Sequence, residues 1–363
     1  MTTEAPRKDP RMLVKDPDGL NTGPPPGLLT DPITPTAILF TRSHAPVPHV
    51  DAASYRLRVS GLVRNPLELS LADLAGFARR EETATLICAG LRRSELEAVR
   101  PVPGELLWGA EPVGTGVWSG VPLREVLAQA QVMGPASHVE FIGLDQVERG
   151  GKVFGFGGSV PLEKATGTEV LLADRLNNLP LPAEHGFPLR ALVPGYYGAR
   201  SVKWLGEIVV REGGSANYFQ TQAYRVLATP RSDDPRAVRD GTELGELVLN
   251  SVISAPESGA RVPPGRCVMS GWAIGPGGQA LARVEVSPDG GSSWSEAQVL
   301  PADGDFAWRH WRATVNLTSG RHTLVVRAFD KKGRGQPAEL AEVWNVKGYA
   351  NNAWHRVAVT AAD

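Results

Sequence analysis

The chain has 363 residues, 42% of them apolar and 21% charged, the proportions of a folded globular protein. Its 38 basic and 39 acidic side chains nearly cancel to a formal charge of -1, which argues against a generic nucleic-acid or anionic-membrane binder. Two cysteines, Cys88 and Cys267, exclude a disulfide scaffold or a cysteine-rich zinc or iron–sulfur cluster, and no apolar run approaches the roughly 20 residues of a membrane span.

The first residues, Met1 to Gly19, carry neither an apolar core nor a twin-arginine pair. The expectation is a cytoplasmic chain, periplasmic only if a leader has been removed. Residues 17–48 hold eight prolines together with Leu28, Leu29, Ile33, Ile38, Leu39 and Phe40. This mixture is too proline-rich for regular structure and too apolar for a disordered tail, so it predicts an extended arm laid over a domain. Tyr55, Leu57 and Val59 alternate with Arg56 and Arg58, the pattern of a half-buried strand. Ser70 caps a short helix with Leu71, Leu74 and Phe77 at helical spacing. Thr83 to Cys88 is a compact apolar strand ending at Ala89-Gly90. Pro122 to Gln131 predicts a second helix with Leu123, Val126, Leu127 and Ala130 on one stripe. Val139–Leu144 and Val202–Val210 are further strands. Strands and helices interleave without a βαβ series, which indicates an α+β domain.

The polar, proline-bounded run from Thr229 to Arg236 places a domain boundary near 235, giving units 1–235 and 236–363. Beyond it the pattern is purely β. Ala282, Val284 and Val286 alternate up to an Asp289-Gly290-Gly291 turn, a strand follows Trp294, and another runs from His322 to Phe329. Short strands with turn signals suggest an immunoglobulin-type sandwich. Dinucleotide, Walker A, nucleophile-elbow and HExxH patterns are missing. Only eight of the basic residues are Lys, so Arg dominates. That excess reflects either codon bias or a need for planar forks that bind oxyanions.

Cys88 stands at a strand end, followed by Ala89, Gly90, Leu91, Arg92 and Arg93. Gly90 permits a tight turn, and two nearby cations favour the thiolate, which is both nucleophile and metal ligand. The ordinary alternative is a small buried packing residue. Cys267 lacks a basic cluster and is expected to pack.

Cys88-Ala-Gly-Leu-Arg-Arg resembles the cysteine motif of the sulfite oxidase family of molybdenum enzymes, and four further stretches resemble that family in order. They are Phe40-Thr-Arg42-Ser-His44, Phe141-Ile-Gly-Leu-Asp145, His185-Gly-Phe-Pro-Leu-Arg190 with Pro194 to Trp204, and Asn352-Ala-Trp-His355-Arg356. The resemblance implies a molybdopterin-binding α+β domain followed by a β-sandwich dimerisation domain, hence a homodimer. It implies Cys88 as the metal ligand of a molybdenum–pyranopterin cofactor. It implies cofactor contacts from Phe40, Arg42, His44, Asp145, His185, Arg190, Ser201, Val202 and Lys203. Arg190, Arg200 and Lys203 suit a phosphate on charge alone. Substrate-side residues would be Arg42, Arg93, Trp108, Tyr224 and Arg356, around a small oxyanion such as sulfite. Heme, flavin and iron–sulfur modules are not expected, so electrons would pass to a separate cytochrome or another acceptor. Two departures stand out: Leu91 replaces the family's usual Asn, and the approach to Tyr224 is atypical. The alternatives are reduction of an oxyanion or sulfoxide, as in nitrate reductases or methionine sulfoxide reductases, and a cofactor-free binding protein that kept the fold.

Overall fold

A computed structural model describes residues 7–227, 234–279 and 281–363. Residues 1–6 lie outside it, as does most of the run that sets the expected domain boundary, 229–233. Among the described residues no helix is long and apolar enough to cross a membrane.

The N-terminal half is built on two sheets. The first orders its strands Gly157–Pro161, His138–Gly143, Leu205–Arg211, Leu57–Gly61 and Leu67–Leu69. The second runs Leu179–Pro180, Leu171–Leu176, Val113–Pro122 and Arg80–Ile87, with Arg190–Leu192 also paired to Leu171–Leu176. Leu57 and Val59 are buried while Arg56 and Arg58 are exposed, as their alternation requires. Helix Leu71–Ala75 starts from Ser70, whose side chain accepts from the Asp73 N–H while Asp73 returns the bond, a capping box. Helix Leu123–Ala130 buries Leu123, Val126, Leu127 and Ala130 between the sheets, its larger side chains contributing about 1.5–3 kcal/mol each.

Two elements differ from the sequence expectation. The strand expected from Val202 begins at Leu205, because residues 201–204 instead wrap a cavity and Trp204 takes a positive φ of 49°. The proline-rich arm is extended but punctuated by two single 3-10 turns, Pro26–Leu28 and Thr36–Ile38.

The C-terminal part is a sandwich of a four-stranded sheet (Asn250–Ala255, Gly265–Ile274, Arg309–Leu317, Gln298–Val299) and a five-stranded one (Arg261–Val262, His355–Ala361, Gly320–Asp330, Leu281–Ser287, Ser295–Glu296). Its core takes residues from both sheets, Cys267 among them. The two parts interlock. Arg225–Val226 pairs with Thr242–Glu243 across the expected boundary, the Thr85 N–H donates to the Phe306 carbonyl at 3.0 Å, and the Trp308 indole donates to Pro32 at 2.8 Å.

Candidate active site

Strand Arg80–Ile87 delivers Cys88 to the wall of a cavity that Leu86, Cys88 and Ala89 help to line. The Cys88 N–H donates to the Pro112 carbonyl and its own carbonyl accepts from Leu91, so a tight turn fixes the thiol as the strand ends. Gly90 leaves room for the Arg93 guanidinium, which a Cβ would approach to 2.7 Å. Phe40, Arg42, His44, Asp145, His185, Arg190 and Ser201 line the same cavity, as do Lys203 and Tyr224. Val202 lies between two lining residues but packs into the core instead.

The cavity has a polar, cationic end. Arg190 is buried and, among the described residues, donates only to carbonyls: His185 at 3.0 Å, Ser201 at 2.8 Å and Ala191 at 3.4 Å. Lys203 donates to Ser43 Oγ at 2.8 Å and the Glu184 carbonyl at 2.9 Å. Burial lowers the pKa of Arg190 to about 9 and that of Lys203 well below the usual lysine range. Burial likewise drives His185 well down, helped by Lys8, Lys203 and Arg190. Asp145 accepts the Phe156 N–H at 2.9 Å, and burial raises its pKa.

An adjoining part of the wall is aromatic. His44 Nε2 and the Tyr224 hydroxyl share a hydrogen bond of 2.8 Å, and the His44 ring stacks on Phe156 with an interplanar angle of 10°. Burial and then Arg42 hold His44 well below its ordinary pKa, so it is neutral. Tyr224 is pushed up to about 12 by burial, so it stays a phenol. A single π-helical turn, Phe219–Ala223, carries the chain into Tyr224, and Asn217 anchors its start through the Phe219 N–H and the Gly155 carbonyl. Such a turn widens the backbone by one residue per turn and sets the direction of the side chain beyond it.

Three expected substrate-side residues sit off the cavity wall. Arg93 lies behind Gly90, donating to the carbonyls of Lys347 at 2.9 Å and Leu106 at 2.8 Å, with Glu105 at 3.7 Å. Trp108 is fully buried, and its indole N–H has no partner among the described residues. Arg356 is a correction. It lies on sandwich strand His355–Ala361 and turns outward to the Ala338 carbonyl and the Glu339 carboxylate. Arg92 also departs from its expected place beside the sulfur. Its positive φ of 59° sends the guanidinium into the junction between domains, where it pairs with Glu95 at 2.7 and 2.8 Å.

Sequence reasoning missed Lys8, Ser43, Phe156, Glu184 and Tyr349. Tyr349 enters from the sandwich domain, stacks on Tyr224 with centroids 5.3 Å apart, and receives Arg93 at 5.1 Å from its ring. Its only sequence signal is its place just ahead of the Asn352-Ala-Trp-His motif.

A molybdenum–pterin group fits these residues. Among the described residues no cluster of three or more His, Cys, Asp or Glu that could hold a metal is present, so a metal beside Cys88 would need further ligands from a bound group. Among the same residues Arg42, Arg190 and Lys203 donate to no carboxylate, so the cavity carries buried positive charge suited to an anionic ligand.

The comparisons agree with this geometry. Residues 44–219 match the oxidoreductase molybdopterin binding domain and residues 242–362 the Mo-co oxidoreductase dimerisation domain. The chain is 39% identical over 366 residues to mitochondrial sulfite oxidase of Rattus norvegicus, covering 98% of this chain and 66% of that protein. This chain thus spans just under two thirds of that relative's length. It is 33% identical to sulfite oxidase of Arabidopsis thaliana, covering 98% of this chain and 95% of the other. The structure resembles the sulfane dehydrogenase SoxCD of Paracoccus pantotrophus with a TM-score of 0.79 and 27% identity, over 98% of this chain and 85% of that one. With an Arabidopsis relative matched almost end to end and both domain models satisfied in order, the chain belongs to the sulfite oxidase family of molybdopterin oxidoreductases.

Proposed function

We propose that this protein oxidises sulfite to sulfate at a molybdenum–pyranopterin centre held by Cys88. The observation that carries the reading is one cavity lined by a thiol, by cations that donate to no carboxylate among the described residues, and by a His44–Tyr224 pair. The group, when bound, supplies two-electron oxygen-atom transfer. His185, Arg190, Ser201 and Lys203 would grip its polar end, with Phe40 and Asp145 along its length and Val202 packed behind them in the core. Arg42 donates to Asn21 Oδ1 at 3.0 Å and to the Ser43 carbonyl, which aims its guanidinium along the cavity wall. Arg42 would attract and orient the dianion, and Arg93, behind Gly90, would add positive charge to that side of the cavity. The Tyr224 hydroxyl, held by neutral His44, would donate to a bound oxygen without losing its proton at neutral pH. Tyr349 would hold Arg93 and Tyr224 in register, and buried Trp108 would support that wall. The protein's part is therefore orientation and electrostatics.

The sandwich supports a homodimer through its match to a dimerisation domain, and the reading calls for a separate cytochrome or other electron acceptor. The test is elemental analysis joined to anaerobic reduction. We expect about one molybdenum per chain, reduced by sulfite and not by buffer. Cys88→Ser is expected to abolish turnover. Full turnover by that variant, or wild-type protein without molybdenum, would overturn the assignment. Oxidation of the reduced centre by nitrate or a sulfoxide, with no response to sulfite, would move the reading to a reductase.

A further inference from the structure

Lys8 has no role in the family motifs that point to this site. It lies 31 residues before Leu39 in sequence, on the N-terminal arm, yet its ammonium donates to the Leu39 carbonyl at 2.6 Å. It also meets His185 Nε2 at 2.7 Å and lies 3.8 Å from the Glu184 carboxylate. All three of those residues line the cavity. The ammonium is largely buried, which lowers its pKa to about 8, so it is still mainly charged at neutral pH.

Chemistry fixes the direction of the contact with His185. An ammonium only donates, so Nε2 of His185 accepts and the ring is neutral. The ring proton then sits on Nδ1, which leaves a donor for an oxygen of a bound ligand. Lys8 thereby selects the tautomer of a cavity-lining histidine and adds one more buried cation to the end that holds Arg190 and Lys203.

The arm that carries Lys8 is fastened on the C-terminal side of that residue. The Asp9 N–H donates to the Ala37 carbonyl at 3.0 Å, and Leu13–Val14 pairs only with Thr22–Gly23. Leu13 and Val14 are 41% and 62% exposed, but Met12, Asn21 and Thr22 are buried and Thr22 exchanges backbone bonds with Thr41, so the hairpin after Lys8 anchors the arm to the domain and holds Lys8 over the cavity. We infer that Lys8 is a positioning residue for the anionic end of the cofactor, and that the N-terminal arm is a clasp that closes behind it. This inference rests on the cavity being a cofactor site.

The test tracks retention, not turnover. Holoenzyme and its Lys8 variants would be dialysed, with molybdenum and released pterin measured over time. Lys8→Met removes the donor and the charge, and we expect its cofactor release to be roughly tenfold faster than wild type, the scale of one charge-assisted hydrogen bond. Lys8→Arg keeps both, and its release is expected within about twofold of wild type. Melting of the cofactor-free proteins is measured alongside: a merely structural role would lower the melting temperature of Lys8→Met without changing release at 25 °C. Equal release from wild type and Lys8→Met overturns the clasp while leaving the cofactor reading intact. Wild-type protein that carries no pterin overturns both.

Discussion

Arg92 and Arg190 are both buried arginines, at 0% and 4% exposure, yet their surroundings are opposite. Arg92 has a carboxylate of its own: Glu95 meets its fork at 2.7 and 2.8 Å, and its remaining donors reach the Ala353 and Trp354 carbonyls. Arg190 donates only to carbonyls among the described residues. A buried cation matched by the chain's own carboxylate is an internal joint, here between the cysteine loop and the sandwich domain. A buried cation left with carbonyls alone keeps its charge for a ligand. Arg93 stands between the two cases, with Glu105 at 3.7 Å and carbonyls closer.

Substitution separates these roles. Arg190→Met should leave the cofactor-free protein about as stable as wild type, because it removes a buried charge that no carboxylate offsets. It should weaken cofactor retention by about 4 kcal/mol, roughly a thousandfold, as truncating one partner of a buried charged pair does. Pterin release and melting of the empty protein measure the two effects, and a large loss of melting temperature with normal retention would reverse the comparison. Arg92→Met should do the opposite. It strands Glu95 in a largely buried position and should cost about 3 kcal/mol of folding stability, read by denaturant unfolding, with cofactor release per folded molecule unchanged. Arg93→Gln should fall between. Folding should be nearly normal, while the Michaelis constant for sulfite rises by about 2 kcal/mol, roughly thirtyfold. An unchanged constant would class Arg93 with Arg92 as a joint.

The parts of this arrangement legible in the sequence are those with local causes. Alternation marks Leu57 and Val59, a capping serine marks the start of Leu71–Ala75, and the ordered motifs mark Cys88, His185 and Lys203. Long-range causes leave no such mark. Lys8 reaches His185 across 177 positions, and nothing near it announces the contact. Arg92 and Arg93 are adjacent and look alike, but the positive φ at Arg92 sends one guanidinium to the domain junction and leaves the other behind Gly90. Arg356 looks like a site residue because its motif closes the chain. The register of its strand against Gly320–Asp330 puts His355 inside and turns Arg356 out.

His355 gives the finest test of the Arg92 joint. Its Nδ1 accepts the Ile253 N–H at 3.0 Å, and its Nε2 lies 3.7 Å from Glu95. Burial, and then Arg92, push its pKa down to about 4, against the pull of Glu95. The unfolded chain takes up this proton near the ordinary value of 6.5 and the folded chain does not. The stability this neutral histidine confers is therefore complete above about pH 6.5 and declines as the pH falls towards 4. Between pH 7 and pH 5 the loss should be on the order of 1–2 kcal/mol. Other buried histidines contribute to the same acid slope, so the measurement is the difference between wild type and His355→Gln across that window. The slope should flatten in the variant. In Arg92→Met it should also flatten, because removing the guanidinium while keeping Glu95 lets the folded protein bind the proton at a pH closer to that of the unfolded chain. If Arg92→Met leaves the acid slope of the wild type unchanged, Arg92 and His355 do not share one electrostatic joint, and the contrast with Arg190 loses its internal half.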